Sequence, residues 1–400
     1  MVTPCSRLWT DINLNPTKKE IVNCCKRQQI VRPTIEEISD IDFWSNRKEL
    51  VDAKKHWMND ASFPKGCEVC ASHHPNSAYN ARNKWSKDTP DLSKDHTSYI
   101  EIQVGTKCNQ TCMYCSHEYS SLWAKKLGMP IKEADSDWKN TALRSLYNHI
   151  EKNLSDKEFI TYNFLGGETL IIDDMFDILE TLSDMHEKRQ QRCAMSIVSN
   201  LNLGPSIIQR FIDLCDKHSH IEFILNGSIE NLGERAEAVR EGLDFSRFEY
   251  NMNWIMSEPA VTKVGFLPTM NALSIADHVD YLKWCLSIIT KHRKLVDATK
   301  TWQVGYNYVT GPNAMHIGIL PNAYTSYVDR AIELVSSVDV GQVTEKDNFL
   351  FHLKSLKGLI GTKRDDKWLE NAYRWYKKQE KLHNRDYWKI FPELNDIFLK

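Results

Sequence analysis

An α/β fold built on a parallel sheet is the class this sequence predicts, and three observations predict it. From residue 98 onward, short runs of alternating apolar residues are each followed by a longer run with helical spacing. That alternation recurs about six times, the pattern of strands joined by helical crossovers. The 400 residues carry 42% hydrophobic and 26% charged side chains, the make-up of a folded chain rather than a disordered one.

The elements follow in order. Residues 1–92 are rich in Pro, Asn, Trp and Cys and short of long periodic runs. One helix is expected over 35–59, acidic at its start (Glu36, Glu37) and basic later (Lys48, Lys54, Lys55), as the helix dipole favours. A polar stretch without periodicity places a linker at 85–95. The first strand follows, with Ile100, Ile102 and Val104 alternating with Glu101 and Gln103. Further strands are expected at 159–164, 194–199, 221–226, 262–269 and 302–309. Helices are expected at 138–151, 173–188, 206–217, 276–290 and 323–337. Residues 245–256 suit either state. The last 60 or so residues read as helical and basic. Three regions result: a cysteine-bearing module over 1–92, the α/β region over 93–320 and a helical tail over 321–400. Strand and helix counts alone fit an open doubly wound sheet or a partial barrel.

Charge and hydropathy narrow the function. The net charge is −2, from 51 basic and 53 acidic side chains, which argues against a protein built to coat nucleic acid or anionic membrane. No run approaches the ~18 apolar residues of a membrane span. The start, Met1-Val-Thr-Pro-Cys-Ser, lacks a signal-peptide profile, so a cytoplasmic location is expected. Trp85, Trp138, Trp368 and Trp375 lie near basic residues and could stack on bases or a peptide. Packing is the commoner use of tryptophan.

The 11 cysteines are the unusual feature. In a reducing compartment, clustered cysteines bind metal or do redox chemistry. Cys5, Cys24, Cys25, Cys67 and Cys70 fall early, Cys108, Cys112 and Cys115 form a tight trio, and Cys193, Cys215 and Cys285 stand singly in core-type patterns. The trio lies in Gly105-Thr-Lys-Cys-Asn-Gln-Thr-Cys-Met-Tyr-Cys-Ser116, directly after the first strand, where α/β folds place active sites. Positions i, i+4 and i+7 also share a helix face, but Asn109, Gln110 and Thr111 are poor company for a core helix. Three clustered thiolates suit an iron–sulfur cubane, leaving one iron open.

Cys-x3-Cys-x2-Cys with Tyr114 before the last cysteine resembles the signature of the radical S-adenosylmethionine (SAM) enzymes. The resemblance implies a [4Fe–4S] cluster on Cys108, Cys112 and Cys115, whose open iron chelates SAM. It implies reductive cleavage of SAM to a 5′-deoxyadenosyl radical that abstracts a substrate hydrogen. It also implies a partial (β/α)6 barrel similar to the TIM fold, and an electron donor such as flavodoxin or ferredoxin. Further positions are similar to family motifs. Phe164-Leu-Gly-Gly-Glu-Thr169 resembles the Gly-Gly-Glu segment that holds the SAM amine, which assigns that role to Gly166, Gly167 and Glu168. Thr169 stands where relatives have Pro. Val198-Ser-Asn-Leu-Asn202 resembles the strand end that meets SAM, which points to Ser199 and Asn200; a helix N-cap before Pro205 is the alternative. Ile224-Leu-Asn-Gly227 departs from the Ser-x-Asp-Gly of many relatives. Arg240, with Arg235 as second choice, matches the arginine that pairs with the SAM carboxylate, an exposed helical arginine being the alternative. Tyr114 would line the adenine pocket, and Asn271 would face the adenosine.

Cys5, Cys24 or Cys25, Cys67 and Cys70, with Trp9 and Gly66 among them, resemble the twitch or SPASM-type auxiliary-cluster module, here ahead of the barrel. Tail residues 385–394 are also similar to twitch-bearing proteins. The resemblance implies a second Fe–S cluster on Cys5, Cys24, Cys67 and Cys70. Zinc is the alternative at these four thiols. Twitch and SPASM relatives act on peptides or small molecules, so either substrate class is open. The rival of a different kind is a non-catalytic protein with structural zinc, serving as a nucleic-acid or protein interaction module.

Overall fold

The computed structural model describes residues 5–24, 29–40, 42–60, 62–68, 97–153, 159–293, 301–338 and 346–398. The linker expected at 85–95, Trp85, Cys25 and Cys70 lie outside them. The chain is a mixed α/β protein with a mostly parallel sheet. It divides into two compact units: Met1–Lys107 with Pro130–Ile197 and His218–Glu222, and Cys108–Met129 with Val198–Lys217 and Phe223–Lys400.

In the first unit the sheet runs β2 (Glu20–Val22), β1 (Asp11–Asn15), β3 (Tyr99–Gln103), β5 (Ile160–Leu165), β6 (Cys193–Ser199). β1 and β2 are antiparallel, while β1/β3, β3/β5 and β5/β6 are parallel. Thus two strands from the cysteine-bearing segment join the sheet, with Ile12 opposite Ile100. The period-2 pattern has its physical meaning here. Ile100 and Ile102 in β3, and Ile160, Tyr162 and Phe164 in β5, are all fully buried, while the residues between them are only part-buried.

The single helix expected over 35–59 is three: α2 (Ile35–Ser39), α3 (Phe43–Asn46) and α4 (Lys48–Asp60), after α1 (Arg7–Thr10). Asp40 and Arg47 leave helical geometry, at ψ 126° and 133°. The break at Arg47 lets its buried guanidinium donate to Trp44 O at 2.7 Å and Asn23 Oδ1 at 2.6 Å. An unbroken helix would leave that buried charge without those partners. α6 (Ser136–Asn153) packs on this segment. Trp138, 1% exposed, donates from Nε1 to Pro33 O at 2.9 Å, so it is core. α7 (Met175–Lys188) meets β5 through His186, whose Nε2 lies 2.8 Å from the Tyr162 hydroxyl, and its Leu179 and Leu182 are fully buried.

The second unit carries β7 (Glu222–Gly227), β9 (Lys263–Phe266) and β11 (Thr301–Val304), in that order and all parallel. α5 (Ser121–Lys126), α8 (Pro205–Lys217), α9 (Gly233–Val239) and α10 (Phe245–Ser257) belong to it. Residues 245–256 are therefore helix, started by the Asp244 carboxylate, which accepts from Arg247 N at 3.0 Å. The expected strands 262–269 and 302–309 each break in two. Pro268 and Gly305 separate β10 (Thr269–Met270) from β9 and β12 (Asn307–Tyr308) from β11, and β10 pairs with β12. α11 (His278–Arg293) precedes β11, and after β12 the described chain is helical, as expected for the tail: α12 (Thr325–Ser337), α13 (Lys346–Leu359), α14 (Asp366–His383), α15 (Tyr387–Ile390) and α16 (Glu393–Phe398). Arg235 pins this tail, donating to Ile390 O and the Glu393 carboxylate and standing 4.5 Å over the Phe391 ring. Cys193, Cys215 and Cys285 are fully buried, as their patterns predicted. No helix among the described residues is long and apolar enough to cross a membrane.

Candidate functional site

In the second unit the cysteine trio is held by backbone bonds rather than by helix geometry. Cys108 N donates to Ser121 Oγ at 3.1 Å, which fastens the loop to the start of α5. Cys112 lies in a two-residue strand, β4 (Thr111–Cys112), antiparallel to β8 (Arg240–Glu241), with Cys112 opposite Arg240. Met113 N then donates to Val239 O at 2.8 Å. The Cys112 carbonyl accepts from Cys115 N at 2.9 Å and from Trp123 Nε1 at 2.9 Å. All three cysteines are half-buried residues. The helical alternative for the trio is thus excluded by the extended backbone at Cys112.

Glu230 is the residue that organises the floor of this loop. Fully buried, it accepts from Arg240 Nη2 at 2.7 Å and from Arg240 Nε at 3.1 Å on both oxygens. The Tyr114 hydroxyl donates to the same carboxylate at 3.1 Å, and Arg240 lies 5.5 Å over the Tyr114 ring. Burial disfavours the charged guanidinium, yet the neighbouring charges of Glu230, Tyr114 and Cys112 push the Arg240 pKa above its ordinary value. Burial likewise holds the Tyr114 phenol well above the usual tyrosine range. Arg240 is therefore a permanent buried cation, 4% exposed, not an exposed helical residue. Arg235, the second choice, is committed to the tail and to Asp277, with Nε 3.1 Å from Oδ2.

Asn200 joins the next strand end to the cysteine loop, its Nδ2 donating to Asn109 Oδ1 at 2.8 Å while Asn109 Nδ2 donates to Asn202 O at 2.8 Å. Ser199 Oγ accepts from Leu201 N at 3.0 Å, closing a turn in which Leu201 is forced to φ +51°. A leucine in the left-handed region is strained, and such strain is concentrated at functional sites. The N-cap alternative is not what these side chains do. Asn271 is fully buried, with Oδ1 accepting from Leu273 N at 2.9 Å and Nδ2 donating to Thr269 O at 3.0 Å. Its amide builds the turn after β10. Ile224 and Asn226 lie inside β7, so the polar end of that strand is Ser228, Glu230 and Asn231 instead.

In the first unit, Gly166 and Gly167 follow β5 and press on the segment that leads into Cys108. A Cβ on Gly167 would stand 2.4 Å from the Lys107 carbonyl oxygen, and one on Gly166 2.7 Å from Ile172 Cδ1. Only glycine permits this approach. Glu168 is fully buried; its backbone N donates to Lys107 O at 2.8 Å, and its carboxylate accepts from Leu170 N at 3.2 Å.

The first unit also carries Cys5, Cys24 and Cys67, each part-buried. Cys5 and Cys67 pack against a small core of Leu8, Trp9, Leu50, Ala53 and Trp57. Burial, with the nearby Cys24 charge adding to it, pushes the Cys5 thiol up to about 12. Nearby Asp11 forms a buried ion pair with Arg7 at 2.8 Å.

The donor chemistry fits a multi-iron cluster at the trio. Burial raises the Cys112 and Cys115 thiols, so a thiolate there needs a compensating cation, which iron supplies. Among the described residues, the one set of three ligand atoms within 4.8 Å of one another lies elsewhere. The three thiols thus stand wider apart than a single shared ion would draw them. No family model matches the sequence, and no curated protein is similar to it.

Glu230, Asn109 and Asn202 were missed by sequence reasoning. Asn109 lies inside the trio and Glu230 just past a strand end, so the available signal was a polar cluster after an apolar strand.

Proposed function

We propose that this chain is a radical SAM enzyme on a partial (β/α)6 barrel. The observation that carries the proposal is the cysteine loop: three thiols in Cys-x3-Cys-x2-Cys spacing follow the carboxyl end of β3, on a backbone pinned by β8 and Trp123. From β3 on, strand order follows chain order within each unit, β3-β5-β6 and β7-β9-β11. A singly wound barrel has that order, and a doubly wound sheet reverses it at the switch point.

Cys108, Cys112 and Cys115 would hold the cluster and leave one iron to SAM. When bound, the reduced cluster would supply the electron that cleaves SAM homolytically. The chain's own residues bind and orient. Gly166 and Gly167, packed on the chain's own backbone for want of a Cβ, would hold SAM through their backbone groups, and Glu168 would offer a carboxylate to the SAM ammonium. Arg240 offers a fixed positive charge to the SAM carboxylate, with Glu230 keeping its plane in place. Tyr114, held by Glu230, forms a wall for the adenine. Ser199 and Asn200 shape the strand end beside the loop, and Asn271 supports that wall through its turn. Cys5, Cys24, Cys67 and Cys70 would hold an auxiliary cluster. The substrate is a peptide or small molecule, and the electron donor is a flavodoxin or ferredoxin.

The test is anaerobic. Protein reconstituted with iron and sulfide should be brown and should release 5′-deoxyadenosine from SAM with a strong reductant. Cys112→Ser should abolish this. Iron-loaded protein that never cleaves SAM sinks the proposal, as does colourless protein that binds zinc instead.

A further inference from the structure

A second ligand-bearing cluster lies in the first unit, away from every cysteine motif. Asp184 and Glu187 occupy the last turns of α7, three residues apart and so on one face. His218, just after α8, packs against them with its side chain 1% exposed. One ligand atom from each of the three lies within 4.8 Å of the other two.

The two ring nitrogens of His218 have different surroundings. Nδ1 stands 3.1 Å from Glu187 Oε2, so Nδ1–H donates to the carboxylate and the lone pair of the neutral imidazole lies on Nε2. Nε2 is buried and has no hydrogen-bond partner among the described residues. It faces Asp184 Oδ1 at 3.9 Å. That is too long for a hydrogen bond and close to the roughly 3.4 Å between two ligands of one tetrahedral ion at ~2.1 Å from each. Glu187–His218 thus has the form of the carboxylate–histidine pair behind many metal-bound imidazoles. The His220 ring packs edge-on beside that of His218, 6.3 Å away at 70°. The Asp184 and Glu187 side chains are 49% and 54% exposed, which gives an ion a path from solvent.

We propose that Asp184 and His218, with Glu187 orienting the imidazole and water completing the coordination, form a site for a divalent transition ion of the zinc class. Imidazole with carboxylate suits zinc, cobalt or copper, whereas magnesium and calcium take oxygen ligands only. A bound ion would tie the last turn of α7 to the segment that enters β7. The site stands whether or not the chain cleaves SAM.

The test uses full-length protein and Co2+. Cobalt on thiolates carries an intense near-ultraviolet sulfur-to-metal band that cobalt on nitrogen and oxygen lacks, so the two populations are separated in one spectrum. One equivalent of nitrogen/oxygen-type cobalt is expected, displaced by Zn2+ and untouched by excess Mg2+. Asp184→Asn, at a half-exposed side chain that folding tolerates, should remove it. Glu187→Gln should weaken it by about tenfold to a hundredfold. Cobalt found only on thiols overturns the proposal. So does nitrogen/oxygen-type binding that persists unchanged in folded Asp184→Asn, which would leave the cluster as an ion pair only.

Discussion

Glu230→Gln isolates the charge of the buried pair beneath the cysteine loop, because glutamine keeps the shape and removes the anion. Arg240 and Glu230 have side chains only 5% and 0% exposed, joined at 2.7 Å. A solvent-exposed pair would be worth about 0–1 kcal/mol. Here the guanidinium would be left as an uncompensated buried cation, for which the expected cost is about 3–5 kcal/mol. At 4 kcal/mol the folding equilibrium shifts nearly a thousandfold. Urea unfolding followed by far-ultraviolet circular dichroism should report that loss. Replacing both partners by apolar residues, Glu230→Leu with Arg240→Met, should recover most of it, since no charge then remains buried. The recovered protein should still fail to bind SAM. If Glu230→Gln costs under about 1 kcal/mol, the pair behaves as a surface pair and the reasoning is wrong.

Three other outcomes follow from the geometry. Gly167→Ala should lower stability by about 1–3 kcal/mol and impair iron incorporation at the trio, because its Cβ would meet the Lys107 carbonyl at 2.4 Å; iron content and urea midpoint on the same sample check this. His278 is fully buried, donates to or accepts from the Tyr306 hydroxyl at 2.7 Å, and has its pKa lowered to about 3 by burial. The unfolded chain then binds more protons than the folded one below about pH 6.5, so stability is full above that value and falls as pH drops toward 3. Between pH 6.5 and pH 5 the loss is about 2 kcal/mol, and His278→Gln should flatten the pH dependence of the urea midpoint. If the two proposed clusters form, Cys67→Ala should remove about half of the reconstituted iron and leave the trio loaded, two cubanes being equal in iron; unchanged iron would refute an auxiliary cluster there.

What the residues determined alone was local. Period-2 apolar spacing at Ile100 and Ile102 sets which face of β3 is buried, whatever the strand pairs with. The spacing of Cys108, Cys112 and Cys115 brings three thiols onto one short loop, and the helical tail follows from its own periodicity. Termination was less legible. The break at Arg47 depends on a partner at Asn23, and the helical state of 245–256 is decided where buried Phe248, Met252 and Ile255 meet a core. Tertiary structure decided the site. Cys112 meets Arg240 through a two-residue pairing across 128 positions of chain, far too short to be seen as strands in advance. Glu230 becomes the anchor of Tyr114 and Arg240 only because folding withdraws the carboxylate and the guanidinium from water into an interior where an isolated charge is costly and each must find a partner. Sequence period encodes what one element buries; which buried polar groups become partners is set by the packing of distant elements.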